Sequence, residues 1–182
     1  MTRRTLPLIA VLLLFSSFVF AQTSEPVTTV FLVRHAERAE EPRQDPPLTE
    51  QGVARSQALA RLLSTAGIKA IFTSQFARTK LTAEPLANKL SITPTALSLK
   101  VSSTNPRQIA EESTKETVDK ILSHAGGSVL VVGHSNSIPD VIKMLGGDVA
   151  PAIDEKKFDD LFVVTVYSKG KAKVAHLKYG NE

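Results

Sequence analysis

The stretch "TTVFLVRHAERAEE", Thr28 to Glu41, decides the fold of this chain and carries its most informative residues. A short β-branched and apolar run, Val30 to Val33, predicts a buried strand. The run stops abruptly at Arg34 and His35, so a permanent cation is followed by an imidazole at a strand end. This pairing suits an anionic substrate, and phosphate is the obvious one.

The pattern of apolar runs predicts an α/β fold. The first strand is predicted at Thr29–Val33, and two more at Ala70–Thr73 and Ser128–Val132. The segment "VLVV" lacks polar alternation, as is typical of a strand buried on both faces. Two β-rich runs joined by "KGK" end the chain and predict a hairpin. We therefore expect a three-layer α/β/α sandwich with a mainly parallel central sheet and a C-terminal edge hairpin.

Four helices are predicted between and after these strands. The first has Thr49 as its N-cap, stops at Gly67, and turns one apolar face to the core, made of Val53, Leu59, Leu62 and Leu63. The predicted extents of the others are 76–90, 105–126 with Pro106 at the first helical position, and a last helix after Ser137.

The N-terminus is typical of a secretory signal peptide. Arg3 and Arg4 precede the apolar run Leu6 to Ala21, which ends in a small residue suited to cleavage. The prediction is a leader over 1–21, cleaved after Ala21, and one domain over 22–182, secreted or periplasmic and without a membrane contact after cleavage.

Composition excludes several classes of function. The chain has 182 residues, 42% of them hydrophobic, which is enough for one domain with a proper core. Cysteine is absent, which excludes disulfides, thiol nucleophiles and thiolate metal sites. The net charge is +4, but Arg3 and Arg4 belong to the leader, no basic run follows, and aromatic residues are only 5%. We expect no nucleic-acid partner.

Two further strand ends carry candidate site residues. In "FTSQFARTKLTAEPLA" a strand ends at Thr73-Ser74, and Arg78 falls in the first turn of the next helix. There its guanidinium group could bind two phosphate oxygens at once. In "VLVVGHSNSIPDVI" a buried strand leads through Gly133 to His134. Ligands of open α/β sheets bind at this carboxyl edge. The remaining histidines, His124 and His176, are interpreted as structural.

These residues together predict phosphoryl-transfer chemistry. Neutral His35 is a competent nucleophile toward phosphorus, and Arg34, Arg78 and a protonated His134 would stabilise the charge that moves in the transition state. No carboxylate cluster or histidine spacing suggests a metal, and no cofactor is expected.

The sequence resembles the histidine phosphatase superfamily, which includes cofactor-dependent phosphoglycerate mutases and bacterial phosphohistidine phosphatases. "LVRHAER" is similar to the Arg-His-Gly signature of that family, "TSQFARTKLTAEPLA" to its Ser-Pro-x-x-Arg-x-x-x-Thr-Ala segment, and "VLVVGHSN" to its second-histidine strand. The resemblance implies that His35 is the residue phosphorylated and that Arg34, Arg78 and His134 form the phosphate pocket. Arg38, Ser74 and Asn136 are candidates for additional residues of that pocket.

The chain departs from the family pattern at several positions. Ala36 replaces the usual glycine after the histidine, and a β-carbon there would be strained if the backbone needed a positive φ. Ser135 stands where the acid-phosphatase branch has an aspartate, so the general acid is unassigned. Three glutamates are candidates for it: Glu37, Glu111 and Glu112.

The expected function is a metal-independent phosphatase that hydrolyses a phosphomonoester or phosphoramidate, on a small molecule or a phosphoprotein, through phosphorylated His35. One alternative is a non-catalytic phosphate- or phosphoprotein-binding member of the same fold. Another is a serine hydrolase, because "GHSNS" nearly matches the nucleophile elbow around Ser135, with Asp154 or Asp159 and then His176 following in order.

Overall fold

The computed structural model describes residues 26–106, 108–148 and 152–180. The elements in chain order are β1 Thr28–Arg34, α1 Glu50–Leu63, β2 Ile68–Ser74, α2 Ala77–Leu90, β3 Thr95–Leu97, α3 Glu111–Leu122, β4 Ser128–Gly133, α4 Ile138–Leu145, β5 Asp160–Ser168 and β6 Lys171–Lys178. The predicted leader lies outside these residues, so its cleavage stays a prediction. Within them, no helix has the length and apolar character needed to span a membrane.

The strands form one six-stranded sheet in the order β3-β2-β4-β1-β5-β6. The pairs β3·β2, β2·β4 and β4·β1 are parallel, whereas β5 runs antiparallel to β1 and β6 antiparallel to β5. The predicted mainly parallel sheet and its C-terminal edge hairpin are therefore confirmed. The short edge strand β3 is an addition, since a three-residue strand after Pro94 has too little pattern to detect.

Helices cover both faces of the sheet, which confirms the three-layer sandwich. Within β4, Val129 and Val131 pack toward α3 and α4, whereas Leu130 and Val132 pack toward α1 and α2. All four of these side chains are buried, as the absence of polar alternation predicts. The parallel strands consequently end in register at one edge of the sheet, and the site is built there.

Helix α1 begins as predicted but buries a partly different face. Thr49 caps it by accepting a hydrogen bond from the Gly52 backbone N–H at 3.1 Å. The predicted apolar face is confirmed for Leu59 and Leu63, which are buried, but it is wrong for Val53 and Leu62, which are 45% and 50% exposed. The rest of the buried side is made of small residues at helical spacing, namely Gly52, Ser56 and Ala60. The helix also ends at Leu63, before the predicted stop at Gly67.

Helix α3 begins six residues later than predicted, at Glu111. The segment before it pairs with itself: Ser102 donates from its backbone to Gln108, and Ala110 donates to Lys100, both at 2.9 Å. These bonds use backbone groups that a helix would need, so the Asn105-Pro106 signal marks a turn instead of a helix start.

The close packing of Gly52 against the segment after His35 gives a stability prediction. A β-carbon on Gly52 would lie 2.2 Å from the Glu37 carbonyl oxygen. In an ordinary helix interior Gly→Ala stabilises by roughly 0.5–1 kcal/mol. Here we expect Gly52→Ala to lower the free energy of unfolding, by about 1–3 kcal/mol, because the backbone must move apart. Urea unfolding measures this, with Gln57→Ala on the exposed side of α1 as the control. A stabilising Gly52→Ala would contradict the packing.

Candidate active site

Two histidines lie side by side at the carboxyl edge of the sheet. Arg34 pairs with Gly133 in the β1·β4 register, and the His35 backbone N–H donates to the Gly133 carbonyl at 3.0 Å. His35 and His134 therefore leave adjacent strands at the same level. Their ring centroids are 5.3 Å apart, and both side chains are largely buried, with 4% and 7% exposure. The predicted convergence of these two residues is present in the structure.

The His35 ring is oriented by its own backbone neighbour. Nδ1 lies 2.8 Å from the Ala36 carbonyl oxygen, which can only accept, so Nδ1 carries the proton and Nε2 carries the lone pair. Burial, with a smaller effect of the positive charges of Arg34, Arg78 and Arg38, lowers the pKa of His35 to about 4. At neutral pH the side chain is thus uncharged, with the lone pair of Nε2 held in a fixed direction.

Ala36 fits without the positive φ that its glycine counterpart would allow. Among the described residues other than glycine, only Ser91 has a positive φ. The Ala36 backbone N–H donates to the Thr82 hydroxyl at 2.9 Å, and Thr82 in turn donates to the Arg78 carbonyl at 2.7 Å. This chain of bonds ties the turn after His35 to the helix that carries Arg78, so the replaced glycine costs the site nothing in backbone strain.

Arg34 is held by backbone carbonyls and an aromatic ring. Its Nη1 donates to the carbonyl oxygens of three residues that follow α4, at distances of 2.6–3.2 Å, namely Asp154, Glu155 and Lys157. The guanidinium carbon lies 4.3 Å from the centre of the Phe158 ring, within the range of a cation–π contact. Burial lowers the pKa of Arg34 from its ordinary value, yet a guanidinium stays charged.

Arg78, in the first turn of α2, has a similar arrangement. Its guanidinium carbon lies 4.2 Å from the centre of the Phe76 ring, and Nη1 lies 3.8 Å from Asp45 Oδ1. Burial, followed by the charge of Arg38, lowers the pKa of Arg78. Asp45 also caps α2, since both of its carboxylate oxygens accept from the Ala77 backbone N–H, at 2.9 and 3.0 Å.

Both arginines keep a buried donor without a partner. Within the described residues, Arg34 Nε and Arg78 Nε are among the few buried side-chain nitrogen or oxygen atoms that lack any hydrogen bond. An unpaired buried donor is costly and rare in folded proteins. Two of them on guanidinium groups beside neutral histidines form an arrangement that an oxyanion completes.

The orientation of His134 follows from a chain of hydroxyl groups. Thr79 Oγ1 lies 2.9 Å from the Phe76 carbonyl and 3.2 Å from the Ser74 carbonyl. Ser74 Oγ lies 2.9 Å from Thr79 Oγ1 and 2.9 Å from His134 Nε2. The His134 ring is thus held in place by Ser74 and Thr79.

His134 is neutral in the free protein, and its protonation during phosphoryl transfer stays a prediction. Burial, with smaller effects of His35, Arg78 and Arg34, lowers the pKa of His134 to about 3. A second imidazole and two cations nearby make a third positive charge unfavourable. Only a bound anion would change that balance.

The other pocket candidates differ in position. Ser74 is buried and bonded to His134 as described. Arg38 is exposed, but its charge acts on His35, Arg34 and Arg78, so it belongs to the same cationic cluster. Asn136 is exposed in the turn between β4 and α4.

The three glutamates considered as general acid do not face the histidines. The Glu37 carboxylate accepts from Arg55 Nε at 2.9 and 3.0 Å and lies 2.8 Å from Arg55 Nη2, which occupies it in a half-buried ion pair on α1. Glu111 and Glu112 are exposed at the start of α3, whose buried side is formed by Ser113, Thr114 and Thr117. Each lines an outer groove that contains neither histidine nor either arginine of the site.

The serine-hydrolase arrangement does not form. Ser135 follows β4, whereas His176 lies on β6, and β1 and β5 separate the two. At about 4.8 Å per strand this is roughly 14 Å, far beyond hydrogen-bond reach. His176 instead bonds Asp160 at 2.6 Å and stacks on Phe162, which confirms its structural interpretation.

Sequence reasoning missed four residues that build the site. Phe76, Phe158 and Asp45 contact the arginines, and Thr79 orients Ser74. Only Thr79 carried a usable signal, since it follows Arg78 on the inner side of α2.

No group of three or more His, Asp or Glu side chains among the described residues is arranged to hold a metal ion.

Comparison with known proteins agrees with this geometry. The model of the histidine phosphatase superfamily (branch 1) matches residues 30–98, which include Arg34, His35 and Arg78. No curated protein matches the chain significantly.

Several solved structures share the fold. A phosphoglycerate mutase from Bacillus anthracis str. Sterne is 19% identical with a TM-score of 0.65, and the match covers 85% of this chain and 94% of that one. The protein histidine phosphatase SixA, complexed with tungstate, is 19% identical with a TM-score of 0.64, over 82% of this chain and 96% of its own. A mycobacterial glucosyl-3-phosphoglycerate phosphatase is 14% identical with a TM-score of 0.63, over 85% and 100%.

The family model spans the first half of the site, and the shared fold extends over most of the chain and supplies the second histidine at the expected strand end. The chain thus matches the histidine phosphatase superfamily (branch 1) over residues 30–98 and shares its fold with these solved structures.

Proposed function

We propose that the protein is a phosphatase that works through a phosphohistidine on His35 and needs no metal ion. One observation carries the proposal: the neutral His35, with its lone pair on Nε2, lies close enough to feel the charges of Arg34 and Arg78, and the buried Nε–H group of each arginine lacks a partner. A phosphoryl group supplies what each of these atoms needs, an electrophile for the lone pair and oxygens for the donors.

The reaction has two steps. His35 Nε2 forms a bond to phosphorus while the bond to the leaving group breaks and its electron pair leaves with that group. Water then attacks phosphorus, the N–P pair returns to Nε2, and the proton lost by water passes to solvent. Arg34 and Arg78 hold the equatorial oxygens throughout and stabilise the charge that spreads over them. Ser74 and Thr79 keep the His134 ring in place.

Hydrolysis is proposed in preference to a mutase reaction. A mutase must retain its substrate between two transfers. The predicted leader also directs this protein to a secreted or periplasmic location, where sugar-phosphate pools are scarce. Intact-mass analysis of the exported protein tests the location, and a mature chain beginning at Gln22 is the expected result.

Trapping the intermediate tests the function directly. The wild-type protein, mixed briefly with p-nitrophenyl phosphate and quenched in base, is expected to gain the mass of one phosphoryl group that is lost in acid. His35→Ala should lose both the label and the turnover, because the substitution removes the nitrogen that accepts the phosphoryl group. His124→Ala, outside the site, is the control. Phosphate binding without label or turnover would support the non-catalytic alternative instead.

Substitution of Arg78, on α2, tests the role of its planar guanidinium group. Arg78→Lys keeps the charge but loses the planar donor pair, and we expect kcat/KM to fall by about 10²–10³. Lys80→Ala is the matched control, since it removes an exposed cation two residues away on the same helix. If Arg78→Lys lost no activity while Lys80→Ala did, net charge alone would attract the substrate.

The neutral histidines make stability depend on pH. His35 and His134 stay uncharged in the folded protein down to about pH 4 and pH 3, whereas in the unfolded chain they take up protons near pH 6.5. The unfolded state therefore binds more protons below pH 6.5, and stability falls on acidification. Between pH 7 and pH 5 the two groups together should cost about 4 kcal/mol.

Urea unfolding at both pH values checks this expectation. His134→Gln can still hydrogen-bond to Ser74 but cannot be protonated, so it should remove about half of the acid-induced loss. An unchanged loss in that variant would contradict the neutral state of His134.

A further inference from the structure

Four rings follow one another across the site. Phe158 lies 5.9 Å from His35, His35 lies 5.3 Å from His134, and His134 lies 5.6 Å from Phe76, measured between ring centroids. The two imidazoles form the reactive centre, and one half-buried phenyl ring stands at each side of it. The flanks of the phosphate pocket are thus aromatic and apolar.

Each phenyl ring also carries one of the phosphate-binding arginines. Arg34 stacks on Phe158 and Arg78 on Phe76, at 4.3 and 4.2 Å. A phosphoryl group gripped by both guanidinium groups is therefore centred between the two rings. Whatever is esterified to that phosphate must leave the pocket past an aromatic edge, where a flat apolar group gains contact and a hydrated sugar or glycerol does not.

The carboxylates of this region are badly placed to protonate a leaving group. Within the described part of the chain, no carboxylate hydrogen-bonds either histidine. Asp45 lies at Arg78, with both oxygens accepting from Ala77 N–H. Asp154 and Glu155 act on Arg34, and their side chains are exposed. The leaving group must then depart as a stable anion without a proton donor.

The flanking phenyl rings and the lack of a carboxylate bonded to either histidine favour the same kind of substrate. Resting on the proposed function, we propose that the substrates of this site are aryl phosphates, whose ring packs against Phe76 and Phe158 and leaves as a phenolate. His35 Nε2 forms the N–P bond, the P–O bond to the ring breaks, and the phenolate keeps that electron pair and later takes a proton from water. Delocalisation into the ring replaces the missing general acid.

Four substrates separate ring recognition from leaving-group quality. p-Nitrophenyl phosphate and phenyl phosphate carry a ring, with a good and a poorer leaving group respectively. Acetyl phosphate and glycerol 2-phosphate carry none, again with a good and a poor leaving group. We expect kcat/KM to be highest for p-nitrophenyl phosphate. We also expect KM to be lower for p-nitrophenyl phosphate than for acetyl phosphate, and lower for phenyl phosphate than for glycerol 2-phosphate. A series of substituted phenyl phosphates should show a steep dependence on leaving-group acidity.

Variants of the two phenylalanines test the rings themselves. Phe158→Ala and Phe76→Ala should each lower the ratio of kcat/KM for p-nitrophenyl phosphate over acetyl phosphate by about three- to ten-fold. Phe158→Leu and Phe76→Leu, which keep apolar bulk, should lower it less. The ratio is the decisive measurement, because loosening an arginine would slow both substrates alike and leave it unchanged.

The failures of the two proposals are distinguishable. If no substrate forms phosphohistidine, the proposed function is wrong. If phosphohistidine forms but the ratio is the same in wild type and in both alanine variants, the aryl pocket is wrong and the function stands. A flat dependence on leaving-group acidity would also overturn the inference, by revealing a proton donor, and Asp45→Asn and Glu155→Gln would identify it.

Discussion

The site depends on the hydrogen bond from the His35 backbone N–H to the Gly133 carbonyl. This bond continues the parallel pairing of β1 and β4 one residue beyond the strands, so both histidines leave the sheet at the same level. Gly133 is suited to its place because a β-carbon there would come within 2.9 Å of Ser137 Oγ and 3.2 Å of Ile138 Cγ1. A larger residue would push α4 from the strand end and carry His134 away from His35.

The arginines are held in a way that preserves their charge for a ligand. Arg34 is fixed by carbonyl oxygens and a ring face, and Arg78 by a ring face with a carboxylate only at 3.8 Å. Carbonyl and π contacts orient a guanidinium without neutralising it, whereas a close carboxylate would compete with phosphate. The pair Arg55–Glu37 illustrates the contrast, since there the close ion pair is structural and joins α1 to the turn after the nucleophile.

The fold and the convergence of the candidate site residues could be predicted because they depend on local patterns. Apolar runs buried on both faces identify β1, β2 and β4, and parallel strands bring their carboxyl ends together. Arg34, His35 and His134 needed nothing more. The predicted apolar face of α1 was wrong only at Val53 and Leu62, because backbone contact with Glu37 requires the small Gly52 on the buried side and leaves those two larger residues exposed.

The surroundings of the reactive residues could not be predicted, for a different reason. Phe158 reaches Arg34 across more than 120 positions of sequence, and Asp45 reaches α2 from a loop without regular structure. The hydrophobic periodicity of the sequence does not predict contacts of this kind. Glu37 shows the converse error: it is close to His35 along the chain, but its side chain turns toward α1 and pairs with Arg55. Nearness in sequence predicts a shared backbone segment, not a shared pocket.

The features that would serve the proposed reaction also make the free protein less stable. Two buried imidazoles are kept neutral, and two guanidinium donors stay unpaired beside them. Each is a cost that folding must offset elsewhere, which the close packing of the two apolar layers does. An oxyanion removes these costs together, and it does so most completely when charge spreads over the equatorial oxygens during transfer. The unsatisfied state of the free site is therefore a form of preorganisation, because the donors are already in place and need not rearrange as the charge develops.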